Sequence, residues 1–148
     1  MSVKIQKIQY GYDGEYGWVC RPDSAGGVGV LLTLKNLDSK RTIKYLTIEI
    51  TPYNAVGDIV EDEISEVSTK QLRYTGPLGP NKTCKNIMWE DVWYNYSIRK
   101  ISIEVIEIEY TNGTIETQIV NPNYYDNNYD ESNDEFDIQI DLYCKMVR

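Results

Sequence analysis

The chain has 148 residues, a typical size for one domain, and 41% of them are hydrophobic, which is enough to build a core. Its net charge of −8 argues against partners that require a basic patch, namely nucleic acid and anionic membrane surfaces. The absence of histidine excludes Ser-His and Cys-His nucleophiles and His-based metal sites.

Hydropathy and the N-terminus predict where the protein resides. No apolar run approaches the roughly 20 residues of a membrane-spanning helix. Residues 1–7 lack the apolar segment of a signal peptide. We therefore expect no membrane insertion and a cytoplasmic protein; a cell-surface location is the alternative if the true N-terminus is missing.

The cysteines are three in number and far apart: Cys20, Cys84 and Cys144. No CxxC spacing is present, which argues against a zinc site. An odd count favours reduced, buried thiols in a reducing compartment. Pairing of two of the three, across two sheets, is the alternative.

The first half of the chain shows a hydrophobic period of two. Apolar side chains share one face in Val28–Asn36 and again in Thr42–Ile50, which predicts two strands that are each buried on one side. Residues 36–39 supply turn formers between them. Pro52 lies at the end of the second strand, and Asn54–Asp58 then predicts a reversal built on Asx and glycine turns.

The middle of the chain contains turn signals and a tryptophan pair. Residues 76–80, Gly-Pro-Leu-Gly-Pro, predict a turn. Trp89 and Trp93 lie four residues apart, a spacing that suggests one short helical turn over residues 89–96. We interpret both as aromatic plugs that close an end of the fold rather than as ligand platforms.

Lys100–Tyr110 changes phase part-way along its length. Ile101 and Ile103 keep one alternation, and Ile106 and Ile108 take the other, which predicts a β-bulge or a strand that crosses between sheets. Asn112-Gly113 follows directly and predicts a tight hairpin into a strand at residues 115–120.

The C-terminal part has two contrasting segments. Residues 121–135 are acidic and rich in Asn and Tyr, which predicts a long exposed loop. Residues 136–144 alternate strictly between apolar and polar side chains, which predicts a last strand. Short strands at regular spacing throughout indicate an all-β, immunoglobulin-like, two-sheet antiparallel sandwich formed by residues 1–148 as a single domain, with a small closed barrel as the runner-up.

Five motifs resemble a known family. They are SAGGV (24–28), TPYNAVGD (51–58), YTGPL (74–78), VWYN (92–95) and IEIEYTNGT (106–114). In this order they resemble uncharacterised bacterial immunoglobulin-like modules related to FxLYD-type domains, over about residues 24–119. The resemblance implies a small sandwich of the kind appended to lipoproteins and cell-surface proteins, and it supplies no catalytic residues. The loop at 121–135 and the strand at 136–144 lie outside it.

These features favour a non-catalytic protein-interaction module over an enzyme, with no cofactor and no metal site. The partner would be another protein or a second copy of the chain, and the site would lie in the acidic loop, where tyrosines flanked by charge are adaptable contact residues. The residues chosen are Tyr124, Tyr125, Asp126, Tyr129 and Asp130.

Three alternatives remain open at this stage. The acidic loop could be a solubilising insertion. The whole chain could be an acidic inhibitor or decoy that blocks a basic site on another protein. The chain could also be a calcium- or carbohydrate-binding surface module, since oxygen-rich loops suit hard cations, although the EF-hand spacing is absent.

Overall fold

The computed structural model describes residues 3–120, which form two four-stranded antiparallel sheets. The strands in chain order are β1 (Val3–Gly14), β2 (Gly17–Val19), β3 (Gly27–Asn36), β4 (Ile43–Tyr53), β5 (Lys70–Leu78), β6 (Thr83–Tyr94), β7 (Lys100–Tyr110) and β8 (Ile115–Ile119). One sheet has the order β2-β1-β3-β6 and the other β5-β4-β7-β8. This is the immunoglobulin arrangement, in which β1, β3 and β6 correspond to strands A, B and E and the second sheet to strands C′, C, F and G. The prediction of an all-β sandwich is confirmed.

The core lies between the two sheets and consists mainly of branched aliphatic side chains, with Tyr10, Trp93 and Tyr110 among them. Its members include fully buried residues from four central strands: Val3, Ile5, Val30, Leu32, Leu46, Ile48, Ile103 and Ile106. Alternation along each strand places these side chains inward. No helix among residues 3–120 is long and apolar enough to cross a membrane.

The phase change in β7 is a β-bulge, as predicted. Glu49 of β4 pairs with Val105, whereas its neighbour Ile50 pairs with Ile103, so Glu104 is the extra residue. Ile103 and Ile106 consequently both point into the core. The predicted hairpin is also present: Tyr110 and Thr114 flank a turn in which Gly113 has φ of 88°, a value that glycine adopts without strain.

Two local predictions were wrong. Residues 89–96 form no helical turn, because β6 continues as a strand to Tyr94. The turn expected at residues 76–80 lies further along, since β5 runs through Gly76 to Leu78 and the chain reverses over residues 79–82.

The tryptophans close one side of the sandwich. Trp93 is fully buried, and its Nε1 donates to the carbonyl oxygen of Ser68 at 2.7 Å. Trp89 packs against the core and donates through Nε1 to the carbonyl oxygen of Arg73 at 3.1 Å. Both indoles therefore join β6 to the chain at or just before β5, in the opposite sheet.

The cysteines differ in state. Cys84 is a free thiol, whereas Cys20 is disulfide-bonded and only 7% exposed. The expectation of three reduced thiols is wrong for Cys20 and correct for Cys84.

Candidate functional site

The residues chosen from sequence lie outside the part of the chain that the structure describes. Tyr124, Tyr125, Asp126, Tyr129 and Asp130 all fall beyond residue 120. The acidic loop, its calcium alternative and the last strand at 136–144 therefore stay predictions. The described residues offer a different surface, the connection between β4 and β5.

This connection, residues 54–69, is called here the β4–β5 loop, and it begins with a tight turn. The side-chain Oδ1 of Asn54 accepts hydrogen bonds from the backbone N–H groups of Val56, at 3.1 Å, and Asp58, at 2.9 Å. Gly57 has φ of 86° and completes the reversal predicted from the sequence. Ile59 then pairs with Tyr53 in an antiparallel bridge. The turn thus presents Val56 and Ile59 from a fixed backbone.

The second half of the loop is organised by the buried carboxylate of Asp62. Its Oδ1 accepts from the N–H groups of Ile64, at 3.1 Å, and Tyr94, at 3.0 Å. Its Oδ2 accepts from Ser65 Oγ at 2.8 Å and from Lys70 Nζ at 2.7 Å. One side chain therefore holds the loop to the end of β6 and the start of β5.

The ionisation of Asp62 follows from these contacts. Burial alone would raise the pKa of this carboxyl group. The hydrogen bonds from Lys70, Tyr94, Ile64 and Ser65 outweigh burial and hold the pKa well below its usual range. Lys70 also donates to the carbonyl oxygen of Val92 at 2.8 Å. Both members of the ion pair therefore have further hydrogen-bond partners.

A left-handed residue tightens the same turn. Glu66 has φ of 61°, a conformation that costs a residue with a Cβ roughly 1–2 kcal/mol. Its N–H donates to the carbonyl oxygen of Asp62 at 2.7 Å, and the N–H of Asp62 donates to that of Val67 at 2.9 Å. Strained backbone of this kind often accompanies functional loops.

The connection between β6 and β7 lies beside the β4–β5 loop. Glu63 N–H donates to the carbonyl oxygen of Tyr94 at 3.0 Å, and Asn95 Nδ2 donates to that of Glu61 at 2.9 Å. Tyr96, which is 57% exposed, donates through its hydroxyl to the carbonyl oxygen of Ser24 at 2.5 Å. Ser24 lies in the connection between β2 and β3. The β2–β3 connection, the β4–β5 loop and the β6–β7 connection therefore meet at one end of the sandwich.

Large apolar side chains are exposed at this end. Val56 is 81% exposed, Ile59 61%, Ile64 73% and Val67 46%. The same loop carries the exposed carboxylates Asp58, Glu61, Glu63 and Glu66, and no lysine or arginine lies within residues 54–69. We call the β4–β5 loop together with Tyr96 the apolar-acidic end. The exposed groups of this end are therefore apolar side chains and carboxylates.

The opposite end of the sandwich has a different character. Arg41 Nε donates to Asp38 Oδ2 at 2.8 Å, and Arg41 Nη2 donates to Glu116 Oε1 at 2.5 Å. Its guanidinium also lies 3.9 Å from the centre of the Tyr110 ring. Backbone hydrogen bonds from Arg41 and Lys40 lower the pKa of Asp38 to about 2. The charged groups of Asp38, Arg41 and Glu116 therefore pair with one another at this end.

Within residues 3–120 no group of three or more His, Cys, Asp or Glu side chains is placed to hold a metal ion. The acidic residues of the β4–β5 loop are spread along its two turns, and Asp62 is committed to Lys70.

Comparisons with known proteins add little. No protein-family model matches the chain, and no curated protein is similar to it in sequence. One solved structure is weakly similar in fold, a hypothetical protein from Peptoclostridium difficile 630, with 12% identity and a TM-score of 0.46 over 88% of this chain and 99% of that one. The comparisons do not bear on the FxLYD-type resemblance, which stays a prediction.

The sequence contained a partial signal for the apolar-acidic end. The TPYNAVGD motif located the first turn, but the aliphatic residues that follow look like core residues when read alone. Spacing gave no sign of their exposure, because Val60, Ile64 and Val67 lie four and three residues apart, as the apolar residues on one face of a helix do.

Proposed function

We propose that the protein is a non-catalytic protein-interaction module that binds its partner through the apolar-acidic end. The observation that carries the proposal is that four branched aliphatic side chains are exposed on a loop whose backbone is fixed by Asn54, Asp62 and Lys70. A cluster of exposed apolar side chains on a soluble protein often marks an interaction site. A preformed loop also loses little conformational entropy on binding, which favours affinity.

The chemistry of the loop indicates what the partner offers. Val56, Ile59, Ile64 and Val67 require an apolar pocket, to which each buried isoleucine contributes about 2 kcal/mol. The exposed carboxylates beside them require lysine or arginine around that pocket, since charge complementarity sets orientation and excludes wrong partners. We therefore expect a protein with an apolar pocket bordered by basic residues.

A second candidate function is an inhibitor or decoy that occupies a basic site. It is favoured by the absence of any cation between residues 54 and 69 and by the net charge of −8. The two functions differ in salt dependence. The affinity of an electrostatic decoy for its target falls steeply as the salt concentration rises, whereas the affinity of a complex held by apolar contacts does not.

The calcium- or carbohydrate-binding alternative concerns the loop at 121–135 and stays a prediction, as does self-association. For location, the disulfide at Cys20 favours an oxidising compartment, because structural disulfides persist at the cell surface and outside the cytoplasm. This supports the cell-surface alternative over the cytoplasmic expectation.

The test is affinity capture from the native host with matched variants. Ile64→Asp places a charge in the proposed contact, and Ile119→Asp is its control, since Ile119 is 75% exposed and lies in β8. A Tyr124/Tyr125/Tyr129→Ala variant tests the acidic loop in the same experiment. We expect a partner that wild type and Ile119→Asp retain and Ile64→Asp loses, with an affinity reduced by roughly 30-fold or more. Equal retention by Ile64→Asp, or loss only in the tyrosine variant, contradicts the proposal.

A further inference from the structure

The two ends of the sandwich carry complementary chemistry. The β4–β5 loop follows the last residue of β4, whereas Ile43, at the start of β4, pairs with Leu78, at the end of β5. Residues beside that pair therefore lie at the end opposite the apolar-acidic end. We propose that the partner is a second copy of this chain, which receives the β4–β5 loop in a pocket at this opposite end. The inference rests on the proposed function, because it names the partner of the same loop.

The opposite end contains an open pocket whose walls are partly apolar. Its volume is about 390 Å³, and it is lined by Lys44, Tyr45, Thr75, Gly76, Pro77 and Thr111. The rings of Tyr45 and Pro77 supply apolar carbon atoms to these walls. A cavity of about 150 Å³ already holds a benzene molecule, so this pocket has room for a branched aliphatic side chain.

Basic side chains border this pocket. The guanidinium carbon of Arg73 lies 4.3 Å from the centre of the Tyr45 ring, and Lys44 Nζ lies 5.3 Å from the same point. Lys44 also forms an ion pair with Glu109 at 3.7 Å. Arg73 is exposed, and within residues 3–120 no carboxylate forms an ion pair with it. The pocket therefore has the two properties expected of the partner, an apolar wall and a basic border.

The charge distribution along the sandwich favours a head-to-tail contact. The connections at the opposite end carry Lys40, Arg41 and Lys82, and the carboxylate of Asp38 beside them is paired with Arg41. The β4–β5 loop carries four exposed carboxylates and no cation. A head-to-tail arrangement of two copies places the acidic end of one against the basic end of the other. Contact between two acidic ends would bring like charges together, which opposes association.

Ile64 is the side chain that we expect to enter the pocket. It is 73% exposed, and the exposed carboxylates of Glu63 and Glu66 flank it along the chain. These carboxylates can then pair with the cations that border the pocket. β4 has 11 residues, so the loop and the pocket of one copy are about 35 Å apart and cannot meet within a chain. Each contact leaves one loop and one pocket exposed, so further copies can add to the two.

The proposal is tested by sedimentation velocity of the full chain and of two variants over a range of concentrations, in about 0.15 M salt. Ile64→Asp disrupts the loop and leaves the pocket intact, whereas Arg73→Glu disrupts the pocket and leaves the loop intact. We expect wild type to grow beyond a dimer as its concentration rises, and each variant alone to associate roughly tenfold more weakly or less. An equal mixture of the two variants should form a dimer, because it still contains one intact loop and one intact pocket. Recovery in the mixture also shows that both variants are folded.

Two controls carry the same charge changes elsewhere and should associate as wild type does: Ile119→Asp in β8 and Lys85→Glu at an exposed position of β6. Wild type that stays monomeric up to about 1 mM overturns the second copy as partner. In that case the proposed function still stands if the host supplies a different protein that wild type retains and Ile64→Asp loses. Self-association that Ile64→Asp or Arg73→Glu leaves unchanged, or a mixture that does not recover the dimer, overturns the head-to-tail contact.

Discussion

Lys70 Nζ lies 2.7 Å from Oδ2 of Asp62, and the seven residues between them include the exposed side chains of Glu63, Ile64, Glu66 and Val67. The side chain of Asp62 is 6% exposed and that of Lys70 24%. The pair closes the second turn of the β4–β5 loop against the first residue of β5. The loop can therefore keep its conformation while Ile64 and Val67 are exposed, because the ion pair between Asp62 and Lys70 stabilises its backbone.

The first prediction concerns this ion pair. Lys70→Met leaves the buried carboxylate of Asp62 without its cation, so we expect the free energy of unfolding at neutral pH to fall by about 3 kcal/mol. Lys85→Met is the matched control, since Lys85 is exposed and should change stability little. Urea unfolding of the two variants and wild type measures the difference. Equal stability of the two variants would show that the pair does not fix the loop.

The pH dependence of that difference follows from the lowered pKa of Asp62. A carboxyl group whose pKa is lowered by folding stabilises the protein above its unfolded pKa, and this contribution is lost as pH falls. The destabilisation caused by Lys70→Met should therefore be complete above about pH 4 and should shrink at lower pH, where the carboxyl group becomes protonated. A penalty that stays constant down to pH 2 would contradict this assignment.

The next prediction concerns alkaline pH. Burial, together with the hydrogen bond to the Cys84 thiol, raises the pKa of Tyr74 to about 12. Folding thus favours the neutral phenol, and this stabilisation is present below pH 10 and lost as pH rises through 12. We expect Tyr74→Phe to lose less stability than wild type between pH 10 and pH 12, measured by urea unfolding across that range. Tyr16→Phe, at a tyrosine that is 95% exposed, should behave as wild type does.

Much of the sandwich could be predicted because the alternation of apolar and polar residues within a strand indicates which of its side chains are buried. The phase change between Ile103 and Ile106 identified a bulge, since the side-chain period of two leaves few other ways to bury both residues. Asn112 and Gly113 identified the hairpin because the turn depends on the two residues themselves.

The helical turn at residues 89–96 was wrong for a physical reason. Residues four apart share a face both in a helix and in a strand, so the spacing of Trp89 and Trp93 does not distinguish the two. The strand is stabilised by pairing with β3, where Val28 lies opposite Trp93 and Val30 opposite Trp89. Such long-range pairing leaves no signal in a local window.

The apolar-acidic end shows where sequence reasoning stops. Ile64 is exposed and Asp62 is buried, whereas isoleucine is usually buried and aspartate is usually exposed. The reversal depends on Lys70 and on the N–H of Tyr94, which lies 32 residues away along the chain. Pattern reasoning placed its candidate site within residues 121–135, because tyrosine and aspartate are conspicuous there without tertiary information, and that prediction lies outside the described residues.

The most direct test of the central claim is photo-crosslinking in the native host. A photoreactive amino acid is placed at position 64 in one strain and at position 119 in another, so that two exposed isoleucine sites of similar accessibility are compared. We predict a discrete crosslinked protein species from position 64 and none from position 119. Crosslinks from position 119 alone, or from neither position, would contradict an interaction site at the apolar-acidic end.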